Sequence, residues 1–274
     1  MQLLTLGRFQ LPLAGPLVMG VVNVTPDSFS DGGKFLAIDA AIEHAHQLIE
    51  EGADVLDIGG ESTRPGAAPV SVEDELRRVL PIIESLSKVP VPISIDTMKP
   101  EVMRAAIAAG ASMVNDVNAL RAEGAIEVCA EHQIAVCLMH MRGAPRTMQE
   151  APSYLDVVAE VKAFLLDRAT ACERGGIGRD RIVIDPGFGF GKNREHNLAL
   201  LRHLKQLTGM GYAVLAGLSR KSVLGKITGQ EVVSRVPASV AAALLAVQNG
   251  ADIVRVHDVR ATKDALAILQ AVNQ

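Results

Sequence analysis

The chain has 274 residues, 49% of them hydrophobic and 21% charged, and its formal net charge at neutral pH is −4. That composition is typical of a folded globular protein and argues against a largely disordered one. The slight acidic excess argues against a surface that binds nucleic acid or anionic membranes without specificity. We expect no membrane span, because no apolar run approaches the ~20 residues that one needs, and no signal peptide at the start of the chain.

The three cysteines, Cys129, Cys137 and Cys172, form no CxxC pair and are odd in number. Free thiols persist in reducing compartments, whereas a disulfide framework needs an even number of partners. We therefore predict buried free cysteines and a cytoplasmic location.

In chain order, short runs rich in β-branched residues alternate with helical stretches. The predicted strands are Leu17–Val24, Asp54–Gly59, Pro92–Thr97, Met113–Val117, Ala135–His140, Ile182–Gly187, Ala213–Ser219 and Asp252–Val259. The clearest predicted helices are Ala40–Glu51, Val72–Leu86, Pro100–Ala109, Tyr154–Arg174 and Ala238–Gln248. The strands are mostly apolar throughout, which is typical of parallel strands covered on both faces. Eight βα units of roughly 35 residues predict an α/β fold, a single (β/α)8 TIM barrel over residues 1–274, with a doubly wound open sheet as the alternative.

Almost every predicted strand ends in a side chain that can ionise or form hydrogen bonds. In chain order these are Asn23, Asp57 with Glu61 to Arg64 after it, Asp96, Asn115, His140, Asp185, Ser219 with Lys221, and Arg255 with His257. In a barrel the C-terminal ends of the strands meet at one face, where active sites form. The alternative is that some of these side chains only cap the following helices, as fits Thr97. Because capping does not account for all eight positions, the pattern predicts one polar site.

The predicted site is mixed in charge. Its carboxylates are Asp57, Asp96 and Asp185, and its cationic groups are Arg64, Lys221, Arg255 and His257. Carboxylates accept N–H donors or stabilise a developing cation, whereas cationic groups bind phosphate, so we predict two subsites. Arg255 and His257 stand two residues apart on one strand and therefore share a face, which suits a single anion. The alternative is an ion pair between Arg255 and Asp258 or another acid.

Two long loops rich in Gly, Ser and Asp follow the first two predicted strands, at residues 25–33 and 59–66. Such loops on the active face are candidates for mobile lids. A third segment, Asp185–Lys192 (DPGFGFGK), looks superficially like a phosphate-binding P-loop. Pro186 stands where that motif needs its first glycine, and Asn193 replaces the Ser or Thr after the lysine. We therefore predict no ATP site at Lys192.

The segment Val240–Val247 is apolar on every side of its predicted helix. An outer helix of a barrel has a solvated face, so this pattern predicts a surface that binds a partner. The alternative is that the chain termini cover the helix.

Seven segments are distinctive when taken together: MGVVNVTPDSFSDGGKF, GADVLDIGGESTRPGA, SIDT, VNDV, DPGFGFGK, GLSRKS and VRVHDV. In this order they resemble the dihydropteroate synthase family of folate biosynthesis, from about Val18 to Val259, and the first two are long and specific. The resemblance implies a barrel enzyme that is a transferase. It would join 6-hydroxymethyl-7,8-dihydropterin diphosphate to 4-aminobenzoate, forming 7,8-dihydropteroate and releasing diphosphate.

The resemblance also implies roles for individual residues. For the diphosphate they are Asn23, acting through Mg²⁺, with Thr63, Arg64, Arg255 and His257. For the pterin they are Asp96, Asn115, Asp185 and Lys221, and for 4-aminobenzoate they are Phe29, Thr63, Pro65, Phe190, Lys221 and Ser222. The implied catalytic residues are Asp96, Lys221, Arg255 and His257. Mg²⁺ as the cofactor, a homodimer, and competition by sulfonamides at the aminobenzoate subsite are further implications.

Two other functions remain open. A pterin-binding methyltransferase that serves a corrinoid protein would share the acid and amide contacts but would not need residues 63–65 or the Arg255–His257 pair. A catalytically silent paralogue would be expected to lack loop residues, and none is lost here. Because the two polar loops contain little apolar content to order them, we also predict that pterin diphosphate binds first and completes the aminobenzoate subsite.

Overall fold

The computed structural model describes residues 3–24, 34–63, 66–143, 147–149 and 151–273. The strands are β1 (Leu3–Leu6), β2 (Phe9–Pro12), β3 (Leu17–Asn23), β4 (Val55–Gly59), β5 (Ile93–Asp96), β6 (Met113–Asp116), β7 (Ala135–Met139), β8 (Ile182–Asp185), β9 (Ala213–Ala216) and β10 (Ile253–Val256). The helices are α1 (Lys34–Glu50), α2 (Val72–Leu86), α3 (Pro100–Ala109), α4 (Ala125–Glu131), α5 (Val157–Arg174), α6 (Arg194–Arg202), α7 (Lys205–Thr208), α8 (Ser222–Thr228), α9 (Val236–Gln248) and α10 (Val259–Val272).

Strands β3 to β10 form a closed parallel barrel. Each strand pairs with the next along the chain, and β10 closes the ring by pairing with β3. The predicted TIM barrel is therefore confirmed, and closure excludes the open doubly wound sheet. Among the described residues, no helix has the length and apolar character needed to cross a membrane.

Two apolar layers explain why the strands are apolar without alternation. Val18 belongs to the layer between the barrel and its helices, where it packs in one cluster with Ala41. The next residue, Met19, belongs to the cluster inside the barrel, together with Val55 and Leu215. Side chains of a strand point alternately to opposite faces, so a strand buried on both faces must be apolar at every position.

The antiparallel hairpin β1–β2 forms the N-terminal floor of the barrel, and the sequence patterns did not predict it. Leu4 and Leu6 are at most 2% exposed and join the interior cluster. Thr5 Oγ1 donates to Asp180 Oδ2 at 2.7 Å, which ties the hairpin to the turn before β8. Closing this end with apolar side chains leaves the opposite end of the barrel as its open mouth.

The predicted helices are observed, with differences at their ends that have local causes. The helix predicted from Tyr154 begins at Val157, because the Asp156 carboxylate caps it by accepting from the backbone N–H groups of Val158 and Ala159. The strand predicted to run to Ser219 ends at Ala216. The residues after it turn away from the sheet and form part of the mouth.

Helix α9 contains the segment predicted to be apolar on every side. Its side chains Ala242 and Ala246 are buried, whereas Leu245 remains 48% exposed. Helix α10 packs beside α9 and exposes 68% of Ile268 and 77% of Val272. The C-terminal helix thus covers only part of α9 and extends the exposed apolar surface.

Candidate active site at the barrel mouth

Four neighbouring strands end in one lateral row at the mouth of the barrel. Asn23, Gly59, Asp96 and Asn115 are register partners from β3 to β6. Gly59 carries no side chain in this row, and a Cβ there would make an ordinary contact, 3.5 Å from the Cβ of Asp96. The closed sheet thus brings together polar residues that are far apart in the sequence.

A buried ion-pair network lies beside this row. The Nε of Arg255 donates to Asp57 Oδ2 at 2.5 Å, and its Nη2 donates to Asp96 Oδ2 at 2.9 Å. Asn115 Nδ2 donates to the same Asp57 oxygen at 3.0 Å. Asp57 therefore orients both a guanidinium and an amide. The alternative expected for Arg255, an ion pair with Asp258 or another acid, is observed in its second form, with Asp57 and Asp96 as the acids. Two of its five N–H donors serve these acids, so the guanidinium carries further donors for an anion.

Asp57 has further hydrogen-bonding capacity. The side chain is fully buried, and among the described residues its Oδ1 has no hydrogen-bond partner. Ser94 is the register partner of Asp57 on β5, and its buried Oγ also has no hydrogen-bond partner among the described residues. Buried polar atoms are normally satisfied, so their concentration here marks a functional rather than a packing role.

Burial shifts the protonation of the charged groups at the mouth. Burial raises the pKa of Asp96 to about 7. The positive charge of Arg255 lowers this pKa, and the negative charge of Asp57 raises it. Burial lowers the pKa of Lys221 to about 8, although the nearby Asp185 opposes the change. Perturbed acids and bases of this kind, grouped in one cleft, are characteristic of active sites.

The segment after β8 forms the other side of the mouth. The Asp185 carboxylate is buried and its Oδ1 accepts the backbone N–H of Gly187 at 2.7 Å. Burial raises the pKa of Asp185, whereas Lys221 lowers it. The Lys221 ammonium donates to the carbonyl of Phe188 and lies 4.8 Å from the ring centre of Phe190.

The turn after β9 holds Lys221 in place through an unusual backbone conformation. Arg220 has a φ of +57°, which side chains other than glycine rarely adopt. Its guanidinium binds Asp258 through two contacts of 2.5 and 3.1 Å, and its backbone N–H donates to Ser239 Oγ at 2.9 Å. Strained residues that are held by several contacts cluster at functional sites.

Ser219 and His257 are neighbours at the mouth. Ser219 Oγ lies 3.0 Å from His257 Nδ1, and the same oxygen accepts the backbone N–H of His257 at 3.2 Å. The hydroxyl therefore sets the orientation of the imidazole on the strand that also carries Arg255.

A second charge cluster fixes the start of the loop that contains Thr63. Lys99 Nζ binds the Glu61 carboxylate at 2.5 Å and also the carboxylate of buried Glu75. Glu61 Oε1 accepts the N–H of Val70 at 3.1 Å. Glu61 thus joins the two ends of this loop, a role that its position in the sequence does not reveal.

The remaining predicted site residues divide into two groups. Thr63 is half-buried after Glu61, and Ser222, the first residue of α8, is exposed. Ser222 shares a shallow cleft with Gly189 and Lys192. Phe29, Arg64 and Pro65 lie outside the described residues, and so do parts of the loops on which the predicted binding order rests. That order therefore stays a prediction.

A surface groove of about 490 Å³ lies on the outside of the barrel, between the start of α5 and α6. Tyr154 and His196 are among its lining residues, whereas the polar strand ends are not. The mouth is the better candidate for chemistry, because the buried acids and the cations converge there.

Lys192 lies beside the mouth, a position that the sequence patterns do not predict. Its ammonium is buried under the turn that carries Phe190, where it contacts His140. A lysine at the end of an otherwise apolar Gly-Phe segment is the one local sign of this position, and the P-loop comparison does not reveal it.

Known proteins share this architecture and sequence. A family model described as "Pterin binding enzyme" matches residues 19–257. The dihydropteroate synthase of Neisseria meningitidis serogroup B is 51% identical over 273 residues, which cover 97% of this chain and 96% of that protein. The structure of Xanthomonas albilineans dihydropteroate synthase with 4-aminobenzoic acid is 56% identical with a TM-score of 0.94, covering 99% of this chain and 98% of that one. A structure of the same enzyme with 7,8-dihydropteroate is 54% identical with a TM-score of 0.91, again covering 99% and 98%.

The similarity extends over the barrel and every strand that ends at its mouth, at about half of all positions. On these grounds, the chain belongs to the dihydropteroate synthase family of pterin-binding enzymes.

Proposed function

We propose that the chain condenses 6-hydroxymethyl-7,8-dihydropterin diphosphate with 4-aminobenzoate, forming 7,8-dihydropteroate and releasing diphosphate, a step of tetrahydrofolate biosynthesis. The observation that carries the proposal is the grouping of Asp96, Asn115 and Arg255 around the buried carboxylate of Asp57. Family membership supports it, and no observation favours a corrinoid-dependent methyltransferase or a silent paralogue.

The pterin binds between the two sides of the mouth. Its amino group and the adjacent ring N–H are two parallel donors, which one carboxylate can accept together, and buried Asp185 suits them. Asn115 gives one N–H to Asp57, so its carbonyl oxygen and second N–H remain for the ring. Lys221 donates to a pterin oxygen or nitrogen.

The reaction breaks the bond from the pterin methylene carbon to the diphosphate oxygen. The aminobenzoate nitrogen forms the new bond to that carbon and then loses a proton. Departure of diphosphate leaves positive charge on the methylene, and the negative potential of Asp96 with Asp57 stabilises that charge. Arg255 and His257 bind the leaving diphosphate, and no protein nucleophile is required.

Mg²⁺ fits the site as a partner of the diphosphate. Asn23 ends β3 and supplies an amide oxygen, a hard ligand of the kind that Mg²⁺ accepts. Within the described ranges, no group of three His, Cys, Asp or Glu side chains could hold a metal ion. The donor set therefore suits an ion held largely by diphosphate oxygens and water. When bound, Mg²⁺ would neutralise charge on the leaving group, and full activity in excess EDTA would exclude this part of the proposal.

A homodimer formed through α9 and α10 is also part of the proposal. Leu245, Ile268 and Val272 are exposed apolar side chains on two helices that pack together. Such a patch is typical of a subunit interface. Leu245→Glu should produce a monomer at micromolar concentration in light scattering, whereas Leu166→Glu, at a residue 46% exposed on α5, should not. Wild-type protein that is monomeric would contradict this interface.

The localisation and domain organisation complete the proposal. Cys129, Cys137 and Cys172 are buried free thiols, which suits a reducing compartment such as the cytoplasm. Residues 1–274 form one pterin-binding domain in this proposal.

The decisive test is turnover with purified protein, pterin diphosphate, 4-aminobenzoate and Mg²⁺. We expect 7,8-dihydropteroate and diphosphate in equal amounts. The hydroxymethyl pterin without diphosphate is the control and should give no product. Absence of diphosphate release from folded protein with both substrates would overturn the proposal.

A further inference from the structure

Lys192 is a buried lysine that makes no contribution to the proposed chemistry. Its side chain is 2% exposed, and its ammonium contacts four acceptors on two segments. The distances are 2.9 Å to His140 Nδ1, 3.2 Å to the His140 carbonyl, 2.9 Å to the Gly187 carbonyl and 2.9 Å to the Phe190 carbonyl. An ammonium has three N–H donors, so the three carbonyls alone use its full capacity.

The neighbouring groups favour this arrangement. Burial and the adjacent Lys192 charge lower the pKa of His140 to about 3, so its imidazole is neutral, and a neutral ring can accept from the ammonium at Nδ1. Burial lowers the pKa of Lys192, and Asp185 acts in the opposite direction. The backbone carbonyl dipoles point at the ammonium and compensate part of its lost hydration. Because its donors are committed to backbone, Lys192 is not a ligand for substrate phosphate.

The turn that Lys192 supports packs tightly against the end of β7. Gly187 has a φ of +68°, and a Cβ there would lie 2.0 Å from the His140 carbonyl oxygen. Gly191 has a φ of +66°, and a Cβ there would lie 2.3 Å from the Arg142 carbonyl oxygen. From the outer side of the barrel, Tyr154 Oη donates to the Gly191 carbonyl at 2.8 Å. The turn is therefore held from within by Lys192 and from outside by Tyr154.

We propose that Lys192 and Tyr154 are positioning residues for 4-aminobenzoate: together they hold the 187–191 turn so that the Phe190 ring forms one wall of that subsite beside Lys221. This inference rests on the proposed function. The pterin residues Asp185 and Lys221 each have one hydrogen bond to the turn, but the backbone of Asp185 is fixed by the barrel itself. Asp185 lies in β8, where it is the register partner of Met139, and its carbonyl accepts the N–H of His140 at 2.9 Å.

Steady-state kinetics with both substrates test the proposal, because positioning of the aminobenzoate wall raises that KM more than the pterin KM, whereas general loosening raises both alike. We expect Lys192→Met to raise the KM for 4-aminobenzoate about tenfold or more, since small displacements of a binding wall are costly. The KM for pterin diphosphate should rise less, by about threefold at most, because Asp185 and Lys221 each have one hydrogen bond to the turn. Tyr154→Phe, which removes one neutral hydrogen bond, should raise the aminobenzoate KM roughly threefold. Lys205→Met, at an exposed lysine on α7, is the matched control and should change neither KM.

Hydrogen–deuterium exchange of peptides covering 186–192 provides a readout that does not depend on turnover. We expect faster exchange there in Lys192→Met and unchanged exchange in the peptides of β4 and β5. An unchanged aminobenzoate KM in folded Lys192→Met, or equal rises in both KM values, would overturn the proposal. If Lys192→Met does not fold, the two KM values of Tyr154→Phe test the proposal by the same criteria. Wild-type protein without turnover would instead contradict the proposed function, and the exchange data would still test whether Lys192 anchors the turn.

Discussion

The two ends of the barrel interior differ in chemistry although the same strands build both. At the floor the inward side chains form an apolar cluster, which the β1–β2 hairpin completes. On four of the strands, the side chain that lies two residues closer to the mouth on the same face is polar. The pairs are Val55 and Asp57, Met113 and Asn115, Val183 and Asp185, and Ile253 and Arg255.

This difference separates stability from function within single strands. Apolar burial at the floor stabilises the fold by about 25 cal/mol for each Å² removed from water. The mouth instead buries carboxylates such as Asp57, whose desolvation is only partly offset by Arg255. Substitutions at the floor should therefore reduce stability, and substitutions at the mouth should reduce ligand binding.

The largest effect is expected at Asp185. Asp185→Asn replaces an acceptor oxygen with a donor that faces the donor edge of the pterin, which should weaken pterin binding by on the order of 2–4 kcal/mol. Calorimetry with the pterin substrate measures this loss, and the unfolding free energy should change little. Unchanged affinity would mean that another carboxylate, such as Asp96, binds that edge.

At the floor we expect a substitution to reduce stability and to leave activity nearly unchanged. Leu6 is fully buried, so Leu6→Ala should lower the unfolding free energy by about 2–3 kcal/mol while kcat stays within about twofold of wild type. Leu3→Ala, on the same strand but at a residue 44% exposed, is the control and should cost less than about 0.5 kcal/mol. Equal losses in the two variants, measured by urea unfolding, would show that the hairpin is not part of the core.

The raised pKa of Asp96 predicts a pH dependence of stability. Burial raises this pKa from 3.8 to about 7, so the native state binds a proton more tightly than the unfolded chain does. This contribution to stability is complete below about pH 4 and is lost as the pH rises to about 7.

Asp96→Asn should abolish that loss. The unfolding free energy of the variant relative to wild type should increase from pH 4 to pH 7 by on the order of 3 kcal/mol. Parallel stability curves for the two proteins would contradict the raised pKa.

The smallest expected effect is at Ser219. Ser219→Ala removes the contact that orients His257, and this should raise the KM for pterin diphosphate roughly threefold to tenfold. Ser71→Ala removes a helix cap on α2 and should cost about 1 kcal/mol of stability without changing this KM. Comparing the two variants separates a residue that positions His257 at the mouth from one that only stabilises a helix. Equal KM values for pterin diphosphate in both variants would contradict the role of Ser219.

The barrel could be predicted from local patterns, and the site only in part. The eight apolar runs and their polar ends identified Asp96, Asn115 and Asp185 as residues of one face, and the structure brings these strand ends to the mouth. Spacing on one strand favoured Arg255 as an anion ligand. It did not reveal that Arg255 also bridges Asp57 and Asp96, because those partners lie 198 and 159 residues away.

The periodicity of the elements, the two-sided burial of the strands and the types of side chain at their ends can be predicted from local sequence, because these features depend on residues close together in the chain. Which end groups meet depends on the folded barrel. Closure of the barrel set the register that aligns Asn23, Asp96 and Asn115, and packing of the turn after β8 placed the Lys192 ammonium among carbonyls of two segments. Register and ion pairing depend on contacts distant in sequence, whose free energies exist only once the ring of strands is closed.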